Sequence, residues 1–370
     1  MSTAEAESDA LHDRALGFVR AFEAGVDMPE SFDALACDLA RFQARHVPGY
    51  ARLCDARGVR PSALRIARDA PGVPTEAFKV SRVASFPDVD ARVTFHTSGT
   101  TLGARGTHAM RRPGTYDHAA LAFGRHALMS GLPARVPVLV LAASPAEAGD
   151  SSLSHMLGLF SGALGTQAAT TFFIRDEILD IAALDDRVAR AIVEKTSVLV
   201  LGTSFAFVHL LDSVGDAGFP LPPRSRVMQT GGFKGKSREV DADTLRADLA
   251  RAFAIDPRAI VGEYGMTELS SQFYEATARD AAAAVGTYIE PPWARVVPVH
   301  PESLLPVPEG EVGVARIEDL MNVDSAFAVL AADRVRRVPG GFELLGRWPG
   351  ASPRGCSIAV DEILGASALS

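Results

Sequence analysis

Across 370 residues, 47% hydrophobic and 22% charged residues describe a globular core under an ordinary polar surface. A formal net charge of −8 implies no basic face and excludes a general nucleic-acid binder. No apolar run approaches the roughly 18 residues of a membrane helix, and the acidic start MSTAEAESDALHDR has no apolar signal core, so no membrane association and a cytoplasmic location are expected.

Read along the chain, the first sixty residues are helical. Leu16, Val19 and Phe22, then Phe32, Leu35, Leu39 and Phe42, recur at helical spacing. Pro48-Gly49 breaks that pattern and Tyr50 to Arg57 reads as a further short helix; Cys37 and Cys54 fall at packing positions in these helices. The stretch TFHTSGTTLGARGTH at 94–108 leads from an apolar strand into Thr97, Ser98, Gly99, Thr100 and Thr101, then Leu102 and Gly103. Hydroxyls and unhindered backbone N–H groups in one tight loop suit a polyphosphate, and glycine lets the backbone come close. No Gly-Lys-Ser/Thr follows, so this is not a Walker loop. His96, just before it, reads equally as structural or substrate-touching.

Beyond position 90 strands and helices alternate. The apolar runs 136–144 and 196–204 read as buried strands, with helices near 116–130, 150–163 and 178–194. Segment 211–225, rich in Gly and Pro, reads as a loop, and strands are expected at 226–230, 259–263, 312–317, 327–332 and 341–346. Pro291-Pro292 and the stretch from Pro301 to Gly310 mark turns near the start of a smaller, more antiparallel lobe. The class is α/β with mixed sheets, and the motif loops follow strands, where open α/β sheets hold ligands. Three segments are expected: helical 1–60, an α/β nucleotide- and acyl-binding core 61–290, and a β-rich lobe with a tail 291–370.

Four stretches carry chemistry together: the 94–108 loop, TGGFKGK at 230–236, GEYGMTE at 262–268 and AADRVRRVPGGFELLGR at 331–347. In this order they resemble the signatures of the AMP-forming adenylating superfamily, which uses ATP and Mg²⁺. The resemblance implies that Tyr264 stacks on adenine, with Gly265 and Met266 beside it and Gly231 and Gly232 along the base; Glu263, also at the nucleotide, reads as a support behind the metal ligand. Thr267 would touch the α-phosphate, Glu268 would hold Mg²⁺, and Asp333 would take the ribose hydroxyls with Gly346 and Arg347 following. The residue types suit these tasks: an aromatic face for a base, a hard carboxylate for a hard cation, and an acceptor for sugar O–H groups.

Further stretches, VPTEAFK at 73–79, DSSLSHMLGLF at 150–160, LGTSFAFVHLLD at 201–212 and GRWPGASPRGCS at 346–357, resemble the acyl-protein synthetase branch of the bacterial bioluminescence fatty-acid reductase and its phenylacetate-CoA-ligase-like relatives. The likeness runs from about position 45 to about 360, and it implies that the superfamily's C-terminal lid, with its lysine, is missing or reduced. The usual lysine after the phosphate loop is not evident. Arg105 is the nearest basic replacement, though a guanidinium is not a like-for-like substitute; Lys79, Lys234 and Lys236 are other sources of charge.

The same resemblance places His155 and Phe205, with Phe160 and Phe207 nearby, around an acyl pocket; by itself His155 reads equally as a buried helix histidine and the phenylalanines as ordinary core. It also makes Cys356 an acyl acceptor, on a flexible tail with Arg354 favouring the thiolate. The implied reaction activates a carboxylic acid, a fatty acid by resemblance, to an acyl-adenylate and passes it to a thiol. Alternatives stay open: transfer to CoA or a carrier protein, a partner acyl reductase or acyltransferase, or a degenerate nucleotide-binding scaffold.

Overall fold

The computed structural model describes residues 3–97, 104–166, 171–231, 240–350 and 352–365. They form two compact units, one of Met1–Ala122, Met266–Ser271 and Glu290–Ser370, the other of Phe123–Gly265 and Gln272–Ile289.

The first unit begins with helices Thr3–Ala24, Phe32–His46 and Pro48–Ala56. Ser31 caps the second, its hydroxyl accepting from the Ala34 N–H, and Leu35, Leu39 and Phe42 bury one face. The third helix starts at Pro48 itself, because proline is pre-set for the first helical position and has no N–H to leave unpaired. Its sheet holds antiparallel strands Ala294–Val299, Val312–Asp319, Ala328–Val338 and Gly341–Arg347, with the short strand Val73–Pro74 parallel to Ala328–Val338. A separate hairpin pairs Val93–His96 with Thr107–Met110. The strands expected at 312–317, 327–332 and 341–346 are present and pair antiparallel, and the one at 327–332 extends to Val338; they belong to one unit with residues 1–122.

A final helix, Arg354–Leu364, replaces the expected flexible tail. Cys356, Ala359 and Ile363 fall on one buried face, and Gly365 ends the helix at φ 74°. Arg52 Nε donates to the Ile363 carbonyl at 2.6 Å and Arg57 pairs with Glu362 at 2.8 Å, so the helix is docked on Pro48–Ala56.

The second unit is a mixed sheet with parallel strands Phe172–Arg175, Val138–Ala143, Leu199–Thr203, Arg226–Thr230 and Ile260–Tyr264 side by side. Ile178–Leu179 borders one end and antiparallel Phe273–Glu275 and Thr287–Ile289 the other. Leu139, Leu141, Val200, Phe207, Val227, Leu249 and Phe253 form its core against helices Ile181–Val193, Ser204–Val214 and Ala242–Phe253. Two local expectations change. The segment read as a loop from 211 is helical to Val214, because Thr203 caps the helix through the Ala206 N–H and only Gly215, at φ 52°, stops it. The helix read from 178 starts at Ile181, since Asp176 and Glu177 turn at φ 49° and 64° into a short hairpin.

Candidate active site

Within the second unit the GEYG stretch is the strand Ile260–Tyr264 and the residue after it. Two glycines are required by close neighbours. A Cβ on Gly262 would meet the Tyr288 hydroxyl at 2.6 Å, and one on Gly265 would meet Glu263 Oε1 at 2.6 Å. Thr230 and Glu263 face each other in register across adjacent parallel strands, and the Thr230 hydroxyl donates to Glu263. Burial pushes the Glu263 carboxyl up to about 7, against the lowering effect of that hydrogen bond. Tyr264 is buried, its ring 6.0 Å from Phe273 and 6.4 Å from Tyr288.

Gly231 turns at φ 73°, and its carbonyl accepts from the Ser204 hydroxyl at 2.5 Å. Gly232, Lys234 and Lys236 lie outside the described residues. His155 and Phe205 are half-buried on helices Ser152–Leu164 and Ser204–Val214. Phe207 belongs to the unit's core, edge-on to Phe253 at 6.1 Å, and Phe160 lies fully buried against Gly124. The ordinary-core reading of that pair is the one the packing favours. Sequence reasoning missed Glu275 and Arg246. Glu275 accepts from the Gly262 N–H at 2.6 Å and from Arg246 at 2.5 Å, holding the GEYG strand. An isolated Glu in FYE carries no local sign of that role.

In the first unit the hairpin strands bring Thr97 and Gly106 together at the neck of the phosphate-loop motif. Thr97 N–H donates to the Gly106 carbonyl at 2.9 Å, and Gly106 N–H donates to the Thr97 hydroxyl at 2.8 Å. Arg105 Nε donates to the Thr97 carbonyl at 2.8 Å, so part of its guanidinium straps the neck. Ser98, Gly99, Thr100, Thr101 and Gly103 lie outside the described residues. Lys79 is exposed on the short helix Ala77–Val80.

Met266, Thr267 and Glu268 also belong to this unit. Glu268 is buried at 6% exposure. His108 Nδ1 and the Thr267 carbonyl are 2.7 Å apart, and Asn322 Nδ2 donates to the Glu268 carbonyl at 2.9 Å. Downstream, Asp319 accepts from the Ser270 N–H at 2.9 Å and the Ser271 hydroxyl at 2.7 Å. Burial pushes the Asp319 carboxyl up to about 6, with Ser271 the main opposing donor. Asp333 and Arg347 are paired directly across antiparallel strands, 3.5 Å apart, with Arg347 exposed. Such a part-exposed pair is worth little to stability.

Among the described residues no group of three or more His, Cys, Asp or Glu side chains has metal-binding geometry. A lone buried carboxylate such as Glu268 still suits Mg²⁺, which is often held by one or two carboxylates together with substrate phosphates and water.

Cys356 is 1% exposed among Val299, Val314 and Leu330. Burial pushes its thiol up to about 12, Glu76 adds to the rise, and Arg57 opposes it. Arg354, expected to favour the thiolate, is exposed at the helix start, so desolvation dominates. Cys37 and Cys54 are buried in helices, as their helical context implies.

The profile of the family described as acyl-protein synthetase, LuxE, matches residues 28–364. Among solved structures, an open conformation of 2-hydroxyisobutyryl-CoA ligase bound to 2-HIB-AMP and CoA is 16% identical, with a TM-score of 0.59 over 87% of this chain and 76% of that one. The same ligase in its thioesterification state gives 16% identity and a TM-score of 0.59 over 94% and 69%. No protein with a curated description matches. The structural likeness establishes a shared fold, that of AMP-forming ligases, with the mixed α/β sheets expected from the sequence. Family and fold together support AMP-forming activation of an acid as the coarse chemistry. On the match to nearly its whole length, the chain belongs to the LuxE acyl-protein synthetase family.

Proposed function

We propose that this protein activates a carboxylic acid, a fatty acid by family resemblance, as an acyl-adenylate and hands the acyl group to a thiol. One observation carries the reading: in a chain of this family, the Thr267-Glu268 pair sits in a segment whose successive carbonyls are both gripped by side chains, with Glu268 buried. A substrate carboxylate oxygen attacks the α-phosphorus of ATP, the bond to the bridging oxygen breaks, and pyrophosphate leaves with its electron pair. Thr267 would donate to an α-phosphate oxygen and Asp333 would accept from the ribose hydroxyls. Glu268 would hold Mg²⁺, which neutralises charge moving onto pyrophosphate. Arg105, at the loop neck, supplies positive charge in place of the family lysine.

In the second step a thiolate attacks the acyl carbonyl and AMP departs. Cys356 is the acceptor the family resemblance implies; its use requires the last helix to leave its seat, since the docked thiol is buried and protonated. That burial specifically favours a second reading, in which an external thiol, CoA or a carrier protein's, takes the acyl group. A partner acyl reductase or acyltransferase would then consume the product. No helix among the described residues is long and apolar enough to cross a membrane.

The test is acid-dependent exchange of labelled pyrophosphate into ATP across fatty, aryl and amino acids, with Glu268→Ala as control. Exchange with one acid class, lost in the variant, is expected. No exchange with any acid, despite measurable ATP binding, overturns the adenylation reading in favour of a nucleotide-binding scaffold. Mass spectrometry of the charged protein with and without CoA then separates an acyl adduct on Cys356 from free thioester.

A further inference from the structure

His108 is 2% exposed on strand Thr107–Met110, at the foot of the hairpin that carries the phosphate-loop motif. Its ring lies edge-on to Phe78, with centroids 6.0 Å apart. Phe78 is itself buried, in the short helix that follows strand Val73–Pro74. A carbonyl oxygen only accepts, so the 2.7 Å contact to Thr267 requires the hydrogen on Nδ1 and fixes the tautomer. Asn322 takes the next carbonyl, that of Glu268, and its other partners hold it in place. Its amide also donates to the Ala326 carbonyl at 2.9 Å, and its side-chain oxygen accepts from the Ser270 hydroxyl at 2.7 Å. Two consecutive peptide carbonyls of the signature are therefore gripped by side chains from two distant parts of the chain.

We propose that His108 is a positioning residue for the adenylation step: through Nδ1 it holds the Thr267 carbonyl and, with Asn322 on the Glu268 carbonyl, fixes where the phosphate-binding hydroxyl and the Mg²⁺-binding carboxylate stand. The inference rests on the roles proposed above for Thr267 and Glu268. Burial pushes the His108 imidazole down to about 4, which keeps the ring neutral. The same ring joins strand Thr107–Met110 to Thr267 within the first unit.

The experiment uses the full chain and compares His108→Leu, which removes the donor, with His108→Asn, whose amide occupies the Nδ1 position, and His108→Gln, whose amide falls at Nε2. Cooperative thermal melts establish which variants are folded. Two readouts follow: pyrophosphate exchange, as kcat and KM for ATP, and calorimetric ATP affinity with and without Mg²⁺. The expected result is a fall of about 10- to 100-fold in exchange kcat for Leu and Gln, as a displaced catalytic group produces, with KM for ATP rising no further than the affinity that Mg²⁺ supplies. The same two variants should lose the gain in ATP affinity from Mg²⁺. Asn should restore both to within about threefold, with the wild-type pH profile. Gln behaving like Asn, or folded Leu behaving like wild type in both readouts, overturns the proposal. If Leu does not fold, the Asn-to-Gln comparison decides alone. Wild type that shows no exchange but retains Mg²⁺-dependent ATP binding sensitive to residue 108 overturns adenylation while upholding the positioning role.

Discussion

Two buried carboxylates, Asp324 and Glu263, respond to pH with opposite sign. Asp324 is pushed up by burial, but hydrogen bonds from His12, Ser8 and Ser85 outweigh this and hold it at about 2. Its folded value lies below the ordinary 3.8, so it stabilises the fold above about pH 4, and that contribution disappears as pH falls through about 2. The contribution is roughly 2 kcal/mol, and Asp324→Asn should lose it at pH 7 and flatten the acid limb of a denaturant-monitored stability profile. Glu263, at about 7, is raised from 4.5, so folding favours its protonated form and stability declines as pH rises from 4.5 through 7. Glu263→Gln is therefore expected to be more stable than wild type at pH 8, by up to about 3 kcal/mol, and equal to it at pH 4. Equal stability at both pH values would show that Glu263 is not held neutral. Gly265→Ala, forced against Glu263 Oε1 at 2.6 Å, should cost about 1–3 kcal/mol. At this scale the sequence was partly legible. The types Thr, Glu and Asp named chemistry directly, but nothing adjacent to Glu263 announces that Thr230 faces it from a parallel strand.

The last helix shows what an element adds to its residues. RGCSIAVDEIL contains β-branched residues and a glycine, and it follows a Pro-Gly-rich stretch, so its local propensity is poor. It is helical because Cys356, Ala359 and Ile363 bury a common face and Arg52 satisfies the Ile363 carbonyl. A thiol on this element is inert while docked. Native protein at pH 8 should therefore react with a disulfide reagent far more slowly at Cys356 than unfolded protein does. Arg52→Ala combined with Arg57→Ala should speed labelling of Cys356 and leave Cys37 and Cys54 unchanged, read by peptide mapping. Rapid labelling of Cys356 in untreated wild type would contradict the docked helix. Acceleration by acid and ATP together would favour the cysteine as acceptor over an external thiol. The strand Val73–Pro74 makes the same point. Two residues have no periodicity, yet they pair with Val329 and Leu330 and set the place of Phe78 beneath His108.

For the whole molecule, the two compact units are woven from separate stretches of chain rather than laid end to end. A fragment of residues 1–122 is expected not to melt cooperatively by circular dichroism. Its helices rely on later residues: His12 on Asp324 at 2.9 Å, and Gln43 on the Asn322 and Val323 carbonyls at 2.8 and 2.9 Å. Each buried polar group left without its partner typically costs about 1–3 kcal/mol, which together is enough to unfold a fragment that lacks them all. The sequence alone determined the fold class, the family and the order of the chemical motifs, because period, glycine placement and side-chain chemistry are local properties read within a few residues. Only the tertiary structure decided which groups grip the signature and whether Cys356 meets solvent. Those outcomes join residues far apart, His108 with Thr267 across 159 positions and Asn322 with Glu268 across 54, and burial belongs to the packed chain rather than to any segment of it.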